Sequence, residues 1–232
     1  MGIRDDAFWA DYLGVEASAW NAPGLSIRAH AGLLGYRGVW IFRRRQHTVV
    51  SSPIGWVAHL ERKLSGGDAS SLFDESFLKD LFGDDFERVI GPAFQGCLDP
   101  NRFSYITASE VRPVTRDDQQ RFRMQCTPAD VENSGIDKVQ DYLTGYVLDT
   151  RIAAMAGYRP WNGFAGDPCI LTHPDFQRKG YGAAVASAVV QRALQAGKLL
   201  LYQTLEANRG AVGIARKLGY EQYARHLAVR LR

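Results

Sequence analysis

The sequence predicts an α/β (α+β) fold: a mixed central sheet flanked by helices, preceded by an additional N-terminal α+β region. Three observations predict it. The apolar run Cys169-Ile170-Leu171 reads as a buried strand, and a glycine-bearing turn leads from it into a small-residue helix over Ala184 to Ala196. A second apolar run, Leu199 to Leu205, leads into another helical pattern with Ala211, Ile214, Ala215 and Leu218. From Val111 onward the elements follow in the order β-α-α-β-β-β-α-β-α-β, an alternation that builds a layered sheet with helices on its faces.

Taken from the N-terminus, Asp6 to Tyr12 is predicted as a short helix. Leu25 to Ala31, Val39 to Arg44 and Thr48 to Ser51 are predicted as strands. Pro53 opens a helix that reaches Leu64, and Ser76 to Phe82 reads as another, ended by Gly83-Asp84-Asp85. Turn-formers cluster at Leu98-Asp99-Pro100-Asn101-Arg102-Phe103. The expected organisation is therefore 1–103, of unknown role, and 104–232. Shared apolar patterning also allows the first region to be a degenerate second copy of the second.

After the break, Val111 to Val114 is a short strand. Thr115 suits an N-cap, with Asp117 and Asp118 in the first turn of a helix that runs to Gln125. Thr127-Pro128 starts the next helix with proline at its first position. Tyr142 to Val147 and Ile152 to Tyr158 are strands around the turn Leu148-Asp149-Thr150. Leu227 to Leu231 is the last strand.

The chain has 232 residues, 46% of them hydrophobic, and a net charge of +3. That balance excludes neither globular class nor core size, and it gives no electrostatic case for nucleic acid or membrane. The run Arg43-Arg44-Arg45 suits a strand end or a solvated hairpin better than a nucleic-acid patch. Cys97, Cys126 and Cys169 share no metal-ligand spacing, and the five histidines form no ligand pair, so no metal site is expected. No apolar run is long enough for a membrane helix, and the polar start Met1-Gly2-Ile3-Arg4-Asp5-Asp6 lacks a signal-peptide core. The expected location is the cytoplasm.

The turn that follows Leu171 reads Thr172-His173-Pro174-Asp175-Phe176-Gln177-Arg178-Lys179-Gly180-Tyr181-Gly182-Ala183. A strand-to-helix turn leaves N–H groups without intrahelical acceptors at the positive end of the helix dipole, which suits a phosphate. The chain has no Gly-x-x-x-x-Gly-Lys-Ser/Thr loop, and Gly180-Tyr181-Gly182 lacks the third glycine of a dinucleotide fingerprint. The run does match Gln/Arg-x-x-Gly-x-Gly/Ala in full. This resembles the pyrophosphate loop of the GNAT superfamily of acyl-CoA N-acyltransferases. His173-Pro174, Asn208 with Ala211 three residues on, and Gly219-Tyr220 before the last strand strengthen the resemblance, which covers residues 109–232.

The resemblance implies acetyl-CoA as co-substrate and transfer of its acyl group to a primary amine by direct attack. The acceptor is a small molecule or a peptide. It implies cofactor contacts from Ile170, Leu171, Thr172, Gln177, Arg178, Lys179, Gly180, Tyr181, Gly182, Ala183, Asn208 and Ala211. It also implies that the strand at Cys169 to Leu171 splays from the strand at Leu200 to Leu205, baring N–H groups for the thioester oxygen. Such an enzyme needs a base for the ammonium and an acid for the leaving thiolate. Many relatives carry a tyrosine four residues before the glycine of the closing pair; here that residue is Ala215. The candidates left for catalysis are Glu206, Asp167 and Tyr202, with Glu206 also suited to capping the next helix and His173 to stabilising its turn. Trp161-Asn162-Gly163-Phe164 either lines the acceptor side or is a simple aromatic loop. The first region either covers the acceptor cleft or contacts a second copy of the chain as a homodimer. Two other functions fit the same residues: an acyl-CoA sensor without turnover, and a domain gripping another nucleotide.

Overall fold

In the computed structural model, residues 3–65, 69–162 and 164–232 are described. The chain folds as two units: Met1–Gln95 with Thr204–Ala207 and Gln222–Arg232, and Gly96–Gln203 with Asn208–Glu221.

In the first unit, α1 (Ile3–Leu13) precedes β1 (Gly24–Ala29), β2 (Val39–Arg44) and β3 (His47–Ser52). Then come α2 (Ile54–Leu64), α3 (Glu75–Phe82) and β4 (Phe86–Cys97). The C-terminal strand β10 (Glu221–Leu231) completes the sheet, in the order β1-β3-β2-β10-β4. β1 runs parallel to β3, while β2 is antiparallel to both β3 and β10. Val39, Ile41, Val50, Leu227 and Val229 bury one face against Leu60 and Leu64 of α2 and Leu78 and Leu81 of α3. On Phe42, from the other face of β2, Trp9 and Trp20 pack at 4.7 and 6.1 Å between ring centroids. Arg43 and Arg44 end β2, and Arg44 is ion-paired with Asp6.

The strand β4 has no counterpart among the sequence expectations. Its burial runs from exposed to buried along its length, so no period of two is visible, and Gly91-Pro92 interrupts it. Its second half, Ala93 to Cys97, is buried.

His226, on β10, is buried and stacks on Trp40 at 4.8 Å. Burial pushes its imidazole down to about 4. A histidine that stays neutral in the fold but takes up a proton when unfolded stabilises the protein above its unfolded value of about 6.5. That stability is lost as pH falls from about 6.5 to about 4, by up to about 3 kcal/mol. Urea unfolding at pH 4 to 7 is expected to show this slope, and His226→Phe is expected to flatten it; an unchanged slope in the variant would assign the acid sensitivity elsewhere.

The second unit contains β5 (Val111–Pro113), α4 (Arg116–Arg123), α5 (Pro128–Ser134), β6 (Asp141–Leu148), β7 (Arg151–Asn162) and β8 (Ala165–Thr172). α6 (Tyr181–Gln195), β9 (Leu199–Leu205) and α7 (Arg209–Lys217) follow. The sheet order is β9-β8-β7-β6-β5. Pairing is antiparallel from β5 to β8 and parallel between β8 and β9. Thr115 caps α4 in a reciprocal box with Asp118, and Thr127 caps α5 with Pro128 behind it. One face of the sheet, with Met155, Cys169 and Leu171, packs on Phe122 and Ile136. The other lies beneath α6, a helix whose small residues Ala183, Ala184 and Ala186 permit close approach. β7 runs past the expected end at Tyr158 through Pro160, where the register with β8 shifts before Asn162.

Candidate functional site: a splayed strand pair and an N–H-rich loop

β8 and β9 are eight and seven residues long, yet they pair only at Ala165↔Leu199 and Gly166↔Leu200. Beyond Gly166 the two parallel strands separate, and the edge of β8 loses its neighbour. Which groups this bares follows from the ladder on the other side. The His173 N–H donates to the Ala153 carbonyl at 3.0 Å, and Ala154 faces Thr172. Backbone groups alternate in direction along a strand, so residues 167, 169 and 171 bond toward β7, and residues 168, 170 and 172 point away from it. Pro168 has no N–H. The donors along the bared edge are therefore the N–H groups of Ile170 and Thr172, both half-buried.

The loop supplies more donors. His173 caps the 3₁₀ turn Pro174–Phe176, its Nδ1 accepting from the Asp175 N–H at 3.2 Å. Lys179 Nζ donates to the Asp175 carbonyl at 3.1 Å. Arg178 and Gly180 take left-handed conformations, φ 61 and 88, which turn the chain sharply into α6. Gly180 is the N-cap and offers α6 no side-chain acceptor. Among the described residues, the N–H groups of Arg178, Lys179, Gly180, Tyr181 and Gly182 find no acceptor in the chain. Five consecutive donors at the start of a 15-residue helix form an anion site in the sense that helix dipole and orphan N–H groups act together.

Gly182 joins loop to cleft. A Cβ there would lie 2.8 Å from Thr172 Oγ1, 3.4 Å from Ile214 Cδ1 and 3.5 Å from Ile170 Cγ2. The absence of a side chain thus lets the first turn of α6 lie close against Thr172 and Ile170 of β8 and Ile214 of α7. Asn208 caps α7, accepting from the Ala211 N–H at 3.0 Å. Ala215 is fully buried.

The remaining expected site residues fall into different settings. Gln177, Arg178 and Lys179 are exposed, Tyr181 packs on Tyr146 at 4.3 Å, and Ala183 is buried inside α6. Leu171 lies in the core with Phe122, its N–H on the β7 side, so it supports the strand without facing the cleft. Asp167 is 2% exposed and held by a forked Arg159, with Nε to Oδ1 at 2.9 Å and the terminal nitrogen to Oδ2 at 2.7 Å. Trp161 Nε1 adds a bond to Oδ1 at 3.1 Å. Trp161 is thereby fixed on Asp167; of its loop, Gly163 lies outside the described residues. Glu206 belongs to the first unit, where Arg225 Nε reaches both its oxygens at 2.9 and 3.0 Å. The cap of α7 is Asn208, so Glu206 does not perform that role. Tyr202 is buried edge-on against Tyr220 at 5.1 Å; burial and the neighbouring Asp167 raise its hydroxyl well above the ordinary value, so it stays protonated.

Two features escaped the sequence reading. Arg159 was hidden because a residue before proline at a strand end looks like a loop residue. Pro168 was visible, and its effect on the donor row needed the register. Among the described residues, no group of three metal-ligating side chains is placed to hold an ion, and no helix is long and apolar enough to cross a membrane.

Comparison with known proteins agrees with this geometry. The Acetyltransferase (GNAT) family profile matches residues 108–220. No curated protein matches significantly. Among solved structures, this chain is similar to an acetyltransferase of the GNAT family from Novosphingobium aromaticivorans DSM 12444, with a TM-score of 0.51 and 18% identity. That match covers 62% of this chain and 65% of the other, so it spans less than two thirds of that protein's length. A GCN5-related N-acetyltransferase-like protein from Streptococcus suis 89/1591 matches over 100% of both chains, with a TM-score of 0.50 and 13% identity. A Drosophila protein matches with a TM-score of 0.51 and 14% identity, over 83% of this chain and 74% of its own. At such identities the likeness concerns the fold. Residues 108–220 thus form a domain of the GNAT acetyltransferase family.

Proposed function

We propose that this protein transfers an acetyl group from acetyl-CoA to a primary amine by direct attack. Family and fold support acyl transfer in general. The observation that carries the finer reading is the pairing of β8 and β9 at two positions only, beside a loop with five free N–H groups. The loop N–H groups suit a pyrophosphate, and the Ile170 and Thr172 N–H groups suit the thioester arm of the same molecule. One of these two donors meets the oxygen on which charge develops as the amine attacks, an electrostatic role that needs no special side chain. Tyr202, protonated, is the candidate left to hydrogen-bond the leaving thiolate.

A second reading, binding of acyl-CoA without turnover, draws on one observation. Both carboxylates expected as bases are ion-paired, Asp167 to Arg159 and Glu206 to Arg225.

Thermal unfolding with acetyl-CoA, CoA, ATP and NAD tests the binding step. At about 100 times Kd a ligand adds about 2.7 kcal/mol, a rise of about 5 °C or more for a protein of this size. A rise with acetyl-CoA and CoA alone is expected; no rise with either in folded protein would end the reading. Thiol release on adding a panel of primary amines then separates turnover from sensing.

A further inference from the structure

The ladder between β8 and β9 stops at one identifiable bond. The Leu199 N–H donates to the Phe164 carbonyl at 2.8 Å, and the paired positions are Ala165↔Leu199 and Gly166↔Leu200. In a parallel pair each inward-facing residue gives its N–H to one residue of the partner and its carbonyl to the residue two further on. This register therefore puts the Gly166 N–H on the Leu199 carbonyl and the Leu201 N–H on the Gly166 carbonyl. The next bond in the series would run from the N–H of residue 168 to the Leu201 carbonyl. Residue 168 is proline, which has no N–H to give and carries a ring carbon in the place of the hydrogen. The pairing ends there.

The bond after that would run from the Ile170 N–H to the Gln203 carbonyl. Ile170 N–H is one of the two donors offered to the thioester oxygen, so a ladder that continued past residue 168 would consume it. On its other side β8 is fastened. Asp167, the first residue beyond the paired stretch, faces Arg159 of β7, whose fork holds both its oxygens at 2.9 and 2.7 Å. Two consecutive residues thus act in opposite senses: Asp167 ties β8 to β7, and Pro168 releases it from β9. Proline in a sheet is ordinarily confined to edge strands, first positions or bulges. Pro168 is instead buried in the middle of the eight-residue β8, where its cost to the ladder falls on the row that the cleft needs open.

We infer that Pro168 opens the cleft: it is a positioning residue that acts through the Ile170 N–H, by withholding the bond with which β9 would close over that donor. This rests on the CoA-thioester reading above.

Residue-resolved amide exchange of the free protein, and titration calorimetry with acetyl-CoA, test it on the wild type and Pro168→Ala. The alanine restores an N–H at residue 168 and lets the ladder run on. Ile170 exchange in the variant is expected to slow at least about tenfold before any ligand is added, and acetyl-CoA affinity to fall on the order of tenfold, since binding must first break the new pairs. A merely structural proline would lower stability without slowing Ile170. Pro168→Val, whose branched side chain suits a strand and replaces more of the ring's volume, repeats the test if alanine loosens the fold. Ile170 exchange as fast as in the wild type, or unchanged acetyl-CoA affinity, in the folded variant would overturn the inference alone. Failure of the wild type to bind acetyl-CoA would overturn it together with the reading beneath it.

Discussion

Replacing Gly182 by valine is expected to abolish stabilisation by CoA while leaving the protein folded. The added Cβ would sit 2.8 Å from Thr172 Oγ1 and within 3.5 Å of Ile170 and Ile214 side chains. Those atoms belong to the bared edge of β8 and to α7, so the valine pushes the first turn of α6 and its loop donors away from the β8 edge. Overpacking at such a site costs the fold about 1–3 kcal/mol. The cost to binding is larger, because the loop donors and the β8 edge must both hold their places to grip one ligand. A loss of at least ~100-fold in affinity, about 2.7 kcal/mol, is expected by calorimetry. Gly213→Ala is the matched control. Gly213 lies in the same layer, on α7, with open space around its Cβ position, and alanine there should stabilise the helix by about 0.5–1 kcal/mol. Unchanged CoA affinity in Gly182→Val would place the ligand elsewhere.

Removing Arg159 is expected to cost the largest share of stability of any single ion-pair change in the second unit. Asp167 has a side chain only 3% exposed, and Arg159 supplies two of the bonds that hold its oxygens. Arg159→Ala would strand a buried carboxylate with Trp161 alone, at about 3–5 kcal/mol. Asp167→Ala should cost less, because the Arg159 side chain is 25% exposed and its charge can turn to water. Arg159→Lys should fall between, since an ammonium cannot make the forked contact. Urea unfolding measures all three; a cost below about 1 kcal/mol for Arg159→Ala would mean that the pair carries little of the fold. The same pair bears on catalysis. A carboxylate whose oxygens are both taken orients β7 and β8 more readily than it removes a proton.

The sequence made the frame of the second unit legible element by element. Strands there are apolar runs between strong punctuators, and Thr115, Thr127-Pro128 and Asn208 mark helix starts with the caps they form. The loop was legible because glycine spacing and helix start coincide in one short segment. The strand β4 was not legible, since its two halves differ in burial and Gly91-Pro92 breaks the pattern. The contribution of β10 to the first unit was also hidden, because its partner β2 lies far away in sequence. Site chemistry was legible where it depends on backbone, as at Gly180 and Gly182, and obscure where it depends on a long-range partner. Asp167 and Glu206 look alike in the sequence as free carboxylates near a cleft; only the fold reveals Arg159 beside one and Arg225 beside the other.

The central claim is that a CoA thioester is held by main-chain donors. Amide hydrogen exchange with and without CoA reads those donors directly. Exchange at residues 178–182, and at Ile170 and Thr172, is expected to slow on adding CoA, while the paired amides of β7 serve as the unchanged reference. Binding of CoA with no slowing at these amides, or with protection confined to other residues, would contradict the account.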